Sequence, residues 1–221
     1  MVATSRLLTP EACEYHPATK IAGVDEVGRG CLFGPVVAAA VVLSPQACEQ
    51  LQSLGVTDSK CLSEARRESL VEPIQRLATD YALGLATIHD IERLNILYAS
   101  LLAMSRALRR LSTLPDLCLV DGNQLIPHLH LPQRTVVQGD RIHTEIAAAS
   151  ILAKVWRDRL IVRLDRRYPG YHLARNKGYG SAAHRLALQT LGPTPQHRRS
   201  FKGCGSHQAR ATLTSAQQNL Q

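Results

Sequence analysis

Aromatic residues are scarce: Phe, Trp and Tyr make up 4% of the 221 residues. A chain so poor in rings does not build a surface on which many successive bases stack. Long apolar runs are missing too. No stretch reaches the roughly 18 unbroken apolar residues of a membrane-crossing helix, so no membrane partner is expected. The first twenty residues carry one Arg and no long apolar core ahead of their acidic and proline residues, which argues against a signal peptide. The cysteines, at positions 13, 31, 48, 61, 118 and 204, show no CxxC spacing. A zinc site therefore has little support, and without an export signal a disulfide framework is not expected either. They read as free thiols of a cytoplasmic protein.

Positive charge, by contrast, is plentiful. The net charge is +8 and the isoelectric point about 9.5, which points to a polyanionic partner, because neutralisation of phosphates by Lys and Arg drives nucleic-acid binding. An apolar content of 45% fits a folded chain with one sizeable core, or one domain with an appendage. No internal repeat is visible.

The stretch over residues 21–43, IAGVDEVGRGCLFGPVVAAAVVL, is where the chemistry gathers. An apolar run ends in Asp25 and Glu26, and Gly28-Arg29-Gly30 follows at once. Acidic residues are seldom fully buried without a partner, and a hard divalent cation suits oxygen ligands. Successive strand residues point to opposite faces, so Glu26 has to reach any ion shared with Asp25 from the point where the strand ends. Glycines let another backbone approach closely. Pro35 then opens a second apolar run, so the unit reads strand, glycine turn, strand.

Further along, strands are expected over 20–26, 35–43, 81–88, 117–121 and 134–138. After Thr57-Asp58-Ser59-Lys60, a segment from Ser63 has apolar residues at roughly helical spacing, which Pro73 is expected to kink or split. Apolar residues at steps of three and four mark an amphipathic helix over 90–111, with Arg109 and Arg110 in its last turn. A long helix over 145–168 is small and apolar in its first half. Its second half carries Lys154, Arg157, Arg159, Arg163, Arg166 and Arg167, read mostly as a solvated face. Ser181 has N-cap chemistry for a helix over 182–191 that stops at Gly192-Pro193.

Asp25, Glu26, Asp121 and Asp140 each sit at or just past a strand end or beside a glycine. Strand ends of one sheet can converge, and four carboxylates drawn together repel unless cations neutralise them. Two Mg²⁺ or Mn²⁺ ions about 3.5–4 Å apart are a known arrangement for phosphodiester cleavage.

The segments AGVDEVGRG, GPVVAAAVVL, TDSKCLSEARRE, LVDGN, QGD, IAAASILAKVWRDR, NKGYGSAAH and HRRSF, in this order over about residues 20–202, resemble the ribonuclease HII family of bacteria. The resemblance implies an α/β chain of ribonuclease H-like fold, a mixed five-stranded sheet flanked by helices with a C-terminal helical segment. It makes 20–168 the catalytic domain and 169–205 a helical segment over the substrate groove, while the polar composition of 1–19 and of 206–221 reads as a flexible leader and a mobile tail. It implies an endoribonuclease acting on RNA/DNA hybrids and on ribonucleotide-containing duplex DNA, as a monomer, with Asp25, Glu26, Asp121 and Asp140 as catalytic ligands of two Mn²⁺ or Mg²⁺ ions. The backbone of Gly28, Arg29 and Gly30 would contact the ribonucleotide 2′-hydroxyl, and Tyr179 the adjoining deoxyribonucleotide. Lys60, Lys177, Arg198 and Arg199 are the candidate phosphate contacts. The chain departs from the family pattern at Val27, Cys31 and Phe33. It departs again over residues 139–142, which leaves nearby Glu145 as an alternative to Asp140. A competing reading is a non-catalytic nucleic-acid-binding protein of the same fold; loss of a carboxylate would favour it, and all four positions are filled.

Overall fold

The structure, a computed structural model, describes residues 19–204. The leader expected over 1–19, apart from Thr19, and the tail expected over 206–221 lie outside the described residues.

The sheet is built of β1 (Ile21–Val27), β2 (Val36–Leu43), β3 (Asp80–Ala86), β4 (Leu117–Asp121) and β5 (Gln133–Val136). Their order is β3-β2-β1-β4-β5. β2 runs antiparallel to both β1 and β3, while β4 is parallel to β1 and β5 parallel to β4. The mixed sheet expected from the sequence is thus the one observed. All eight residues of β2, VVAAAVVL, are buried, as the unbroken apolar reading of a strand covered on both faces requires. Alternation sorts the side chains. Ala22, Val24, Ala38 and Ala40 face one core with helix α3 (Ile88–Leu108), and Val37, Ala39 and Val41 face another with helix α4 (Thr144–Arg167).

Glycines set how closely the helices approach. A Cβ on Gly23 would stand 2.2 Å from the Glu145 carbonyl carbon and 2.3 Å from the Ile146 nitrogen. The first turn of α4 therefore lies directly on β1, next to Asp25. Ala147, Ala148 and Ala149 continue that close seam.

Several boundaries differ from the sequence reading. β3 ends at Ala86 because Thr87 and Asp90 form a reciprocal capping box that starts α3 at Ile88. α3 stops at Leu108 and breaks at Asn95, whose φ is 67° and whose side-chain oxygen accepts from the Leu97 and Tyr98 amides. Pro73 does not split its helix. α2 (Glu64–Leu77) runs through it, held to the core by Leu70 and Ile74 on either side. A helix not expected from the sequence, α1 (Pro45–Ser53), follows β2 with Ser44 as its N-cap. The C-terminal segment holds α5 (Leu173–Asn176) and α6 (Ala182–Leu191). It packs through Tyr171, Leu173, Ala187 and Leu188 against Ile161 of α4 and against Leu32 and Phe33 of the loop after β1.

Candidate active site

β1 and β4 are paired in register through Val24 and Val120. Asp25 and Asp121 are the next residue of each strand, so they stand side by side on neighbouring strands, which run about 4.7–4.9 Å apart. Both point to the face that α4 covers. Asp25 is 5% exposed; it accepts its neighbour Glu26's amide at 2.7 Å and a hydrogen bond from the Ser150 side chain of α4. Ser150 in turn shares a 2.9 Å hydrogen bond with Ser59. Glu26 belongs to the alternate face, yet at the strand's end its carboxylate still feels Asp121. Asp121 accepts from the Gly139 amide at 2.8 Å, in the 3-10 turn Gly139–Arg141 that follows β5 and carries Asp140.

The electrostatics are those of crowded, dehydrated anions. Burial pushes the Asp25 carboxyl well above its ordinary value, and the charges of Glu26 and Asp121 push it further. Burial also raises Glu26, against the pull of Arg29, and raises Asp121, with Asp140 adding to the rise. Two cations answer these charges. Lys60 Nζ lies 3.3 Å from Asp140 and Arg29 3.2 Å from Glu26. Burial works against the Lys60 ammonium, but Asp140, then Asp58 and Asp25, carry its pKa above the ordinary value. Among the described residues no group of three or more His, Cys, Asp and Glu side chains is arranged to hold a metal ion; Lys60 and Arg29 knit the cluster instead.

The structure gives the Asp58-Ser59-Lys60 block a role that its sequence did not suggest. Asp58 is buried, accepts from Arg141 at 3.1 Å beside Asp140, and turns the chain so that Ser59 meets Ser150 and Lys60 meets Asp140. Of the two alternatives for the fourth carboxylate, Asp140 neighbours Asp121, whereas Glu145 hydrogen-bonds with Cys48 on α1.

The glycine loop is the second part of the site. Gly28 has φ 92° and is covered by the Arg157 side chain, 2.2 Å from where a Cβ would be. Gly30 has nothing within 4 Å of that position, so its backbone faces open space. Arg157 belongs to the run read as solvated, and this is a correction: it is fully buried. Its guanidinium donates to the carbonyls of Phe33, Pro35 and Lys177 at 2.8–3.0 Å. Arg198 is a second correction. Expected as a phosphate contact, it too is fully buried, donating to Arg29 at 2.7 Å and to Gly34 at 2.8 and 3.0 Å. Its pKa is lowered by burial to about 10. A buried guanidinium is tolerable when its donors are met, and the carbonyls of a tight glycine loop supply that need. Arg157 and Arg198 thus clamp the loop from two sides. In sequence they look like any other member of a basic run.

The remaining candidates differ in exposure. Arg199 is exposed. Lys177 spends its ammonium on the Ala174 carbonyl at 2.8 Å and on Glu64 at 3.2 Å. Tyr179 is 42% exposed, with Lys154 Nζ 5.5 Å from its ring centre. Burial and then neighbouring Cys31 raise its phenol pKa. It follows Gly178, whose carbonyl accepts from the Leu32 amide at 2.8 Å, so the Tyr179 loop is laced to the glycine loop. The five cysteines among the described residues are free thiols, as expected, and no described helix is long and apolar enough to cross a membrane.

Comparison with known proteins bears on this architecture. A family model described as Ribonuclease HII matches residues 22–204. The chain is 66% identical to Ribonuclease HII of Acaryochloris marina over 185 residues, covering 84% of this chain and 93% of that one. It is 60% identical to Ribonuclease HII of Synechococcus elongatus over 181 residues, 82% and 84% of the two. The ribonuclease H2 of Pyrococcus horikoshii superposes with a TM-score of 0.71 at 28% identity, covering 84% of this chain and 95% of that one. Bst-RNase HIII, solved in complex with Mn2+, has the same fold at 19% identity and a TM-score of 0.71, covering 84% of this chain and 68% of that one. The chain therefore belongs to the ribonuclease HII family and is a metal-dependent endoribonuclease of the ribonuclease H type.

Proposed function

We propose that this endoribonuclease cuts RNA in RNA/DNA hybrids and cuts 5′ to single ribonucleotides embedded in duplex DNA, leaving 5′-phosphate and 3′-hydroxyl ends. The observation that carries the reading is the continuity of β1 with the glycine loop: Asp25 and Glu26 lead within two residues to Gly28, which Arg157 covers, and to Gly30, which is open. The 2′-hydroxyl distinguishes RNA from DNA at a site. A backbone held rigidly from behind by Arg157 and Arg198 can offer it N–H and C=O groups where a bulky side chain would not fit. Recognition of that hydroxyl then fixes the adjoining phosphate over the carboxylates. Tyr179, laced to the same loop, packs on the next sugar, where a second 2′-hydroxyl would crowd its ring.

The donor set suits Mg²⁺ or Mn²⁺. It is all oxygen, it is dehydrated, and its charge is answered by two cations on flexible stems, the Lys60 side chain 78% and the Arg29 side chain 50% exposed. Asp25, Glu26, Asp121 and Asp140 are the residues that would hold two such ions, and Lys60 and Arg29 swing aside to admit them. When bound, two ions of this kind activate a water and stabilise the leaving oxygen of a phosphodiester. Released from Asp140, the Lys60 ammonium becomes available to substrate phosphate, as exposed Arg199 already is. We further propose a monomer acting in the cytoplasm.

The test is a DNA duplex with one embedded ribonucleotide, incubated with Mg²⁺ or Mn²⁺ and again with EDTA. The expected result is one cut on the 5′ side of the ribonucleotide, a 5′-phosphate on the downstream product, and no cut in EDTA. Cleavage confined to long hybrids, or cleavage that survives EDTA, would overturn the reading.

A further inference from the structure

Two histidines lie buried behind the Tyr179 loop. His184 of α6 and His197 are 0% and 1% exposed, and their Nε2 atoms are 3.0 Å apart. Their protonation can be followed from one end. The Thr194 amide donates to His197 Nδ1 at 2.9 Å, and the Thr194 hydroxyl, whose oxygen accepts from the Gln196 amide at 3.2 Å, lies 2.9 Å from the same nitrogen and can donate to it. Nδ1 is then an acceptor and the His197 proton sits on Nε2. Nε2–H then donates to His184 Nε2, which leaves the His184 proton on Nδ1, where it donates to the Tyr179 carbonyl at 2.8 Å. Every hydrogen bond in the chain is met with both rings neutral and in opposite tautomers. A proton on either ring would set two N–H groups against each other or against the Thr194 amide.

The other end of the chain reaches the glycine loop. His197 forms a β-bridge with Phe33, and the next residue, Arg198, sends its amide to Leu32 and its guanidinium to Arg29 and Gly34. We infer that His184 and His197 are positioning residues that fix the Tyr179 loop at a set distance from the Gly28-Arg29-Gly30 loop, and so set how strongly the enzyme prefers a single ribonucleotide over a continuous hybrid. This rests on the proposed role of Tyr179 and goes beyond it, since neither histidine reaches the surface or the carboxylates.

The pair is separable from packing by choice of variant. His197→Phe keeps a ring against Phe33 and Tyr171, which lie 4.9 and 4.8 Å from the His197 ring centre, and removes every hydrogen bond of the ring. His197→Gln supplies an acceptor for Thr194 and a donor for His184. The experiment measures kcat and KM on a single-ribonucleotide duplex and on a continuous RNA/DNA hybrid for both variants and for Tyr179→Ala, below the melting temperature of each. The expected result is that His197→Phe lowers the preference for the single ribonucleotide about tenfold, less than the roughly hundredfold that a 1 Å misplacement can cost. The change falls in kcat for that substrate, and His197→Gln restores it. If Tyr179→Ala shifts the preference and His197→Phe does not, the inference is overturned alone. If Tyr179→Ala shifts nothing, the reading of Tyr179 falls, and the selectivity role of the histidines with it. Should His197→Phe not fold, ¹⁵N spectra of the wild-type imidazoles at pH 7 decide: neutral rings protonated at His197 Nε2 and His184 Nδ1 support the inference, and a cationic ring or the reverse tautomers overturn it.

Discussion

At the scale of single residues the chain separates into side chains proposed to do chemistry and side chains that hold them. The placement of Asp25 and Asp121 was legible in the sequence because each ends an apolar strand at a polar turn; a single strand-end acid is more often a turn or capping residue, and it was the convergence of several that marked them as candidates. Asp25→Asn removes a charge that burial and its neighbours have made unfavourable. Its folded-state pKa lies above the unfolded one, so the ionised form weakens the fold at neutral pH. The expected outcome for Asp25→Asn is loss of nearly all cleavage together with a metal-free melting point several degrees higher, each kcal/mol being worth about 2–4 °C in a domain of this size. A variant that cuts normally, or that melts well below wild type, contradicts the assignment. Arg157 and Arg198 were not legible. Nothing in a run of arginines at helical spacing says which of them turns inward, and the signal that marks Arg157 is tertiary: Gly28 and Gly34 of the loop after β1 and Gly178, far along the chain, all lie against its side chain. Arg157→Met leaves the Phe33, Pro35 and Lys177 carbonyls without their donor. The expected destabilisation is about 3–5 kcal/mol by chemical melting, and a loss under 1 kcal/mol would show that the clamp is dispensable.

Elements followed periodicity where burial is one-sided or complete, and escaped it elsewhere. The strands, α4 and most of α3 could be placed because an apolar stripe or run spans each of them. α1 has only Ala47 and Leu51 buried; two residues make no stripe, and its visible signature was the Ser44-Pro45 start, an N-cap followed by a proline at the first helical position. Pro73 stays inside α2 because Leu70 and Ile74 bury the turns on either side, and tertiary packing outweighs a penalty of about 3 kcal/mol. The seam between α4 and β1 joins fold to site, for it brings Ser150 to Asp25 through the absence of a side chain at Gly23. Gly23→Ala pushes a methyl into the backbone at Glu145 and Ile146. The expected result is a melting point lowered by several degrees, overpacking costing about 1–3 kcal/mol or more, with cleavage reduced even well below that temperature. Wild-type activity and stability would mean that α4 can shift freely, and that the Ser150 contact does not govern Asp25.

For the whole molecule the basic balance and the family resemblance pointed the same way, towards a nucleic-acid duplex, but charge is only a total and does not say which cations face solvent. Arg198 is spent inside the fold and Lys177 is paired with Glu64, while Arg199 is exposed. Binding is expected to weaken as salt rises, and Arg199→Gln to reduce the slope of log K against log salt by about 0.9, one phosphate contact. An unchanged slope would make Arg199 a solvated charge only. The central claim is that one loop, continuous with the carboxylates proposed to bind metal, reads the 2′-hydroxyl through its backbone and thereby places the phosphate for cutting. The measurement that bears on it most directly is the single-turnover cleavage rate on one duplex made in two forms, with a single ribonucleotide carrying either a 2′-hydroxyl or a 2′-O-methyl group. A methyl group removes the donor and fills the space before Gly30, so the expected result is cleavage of the first form and loss of at least about a hundredfold for the second; equal rates on the two would contradict it.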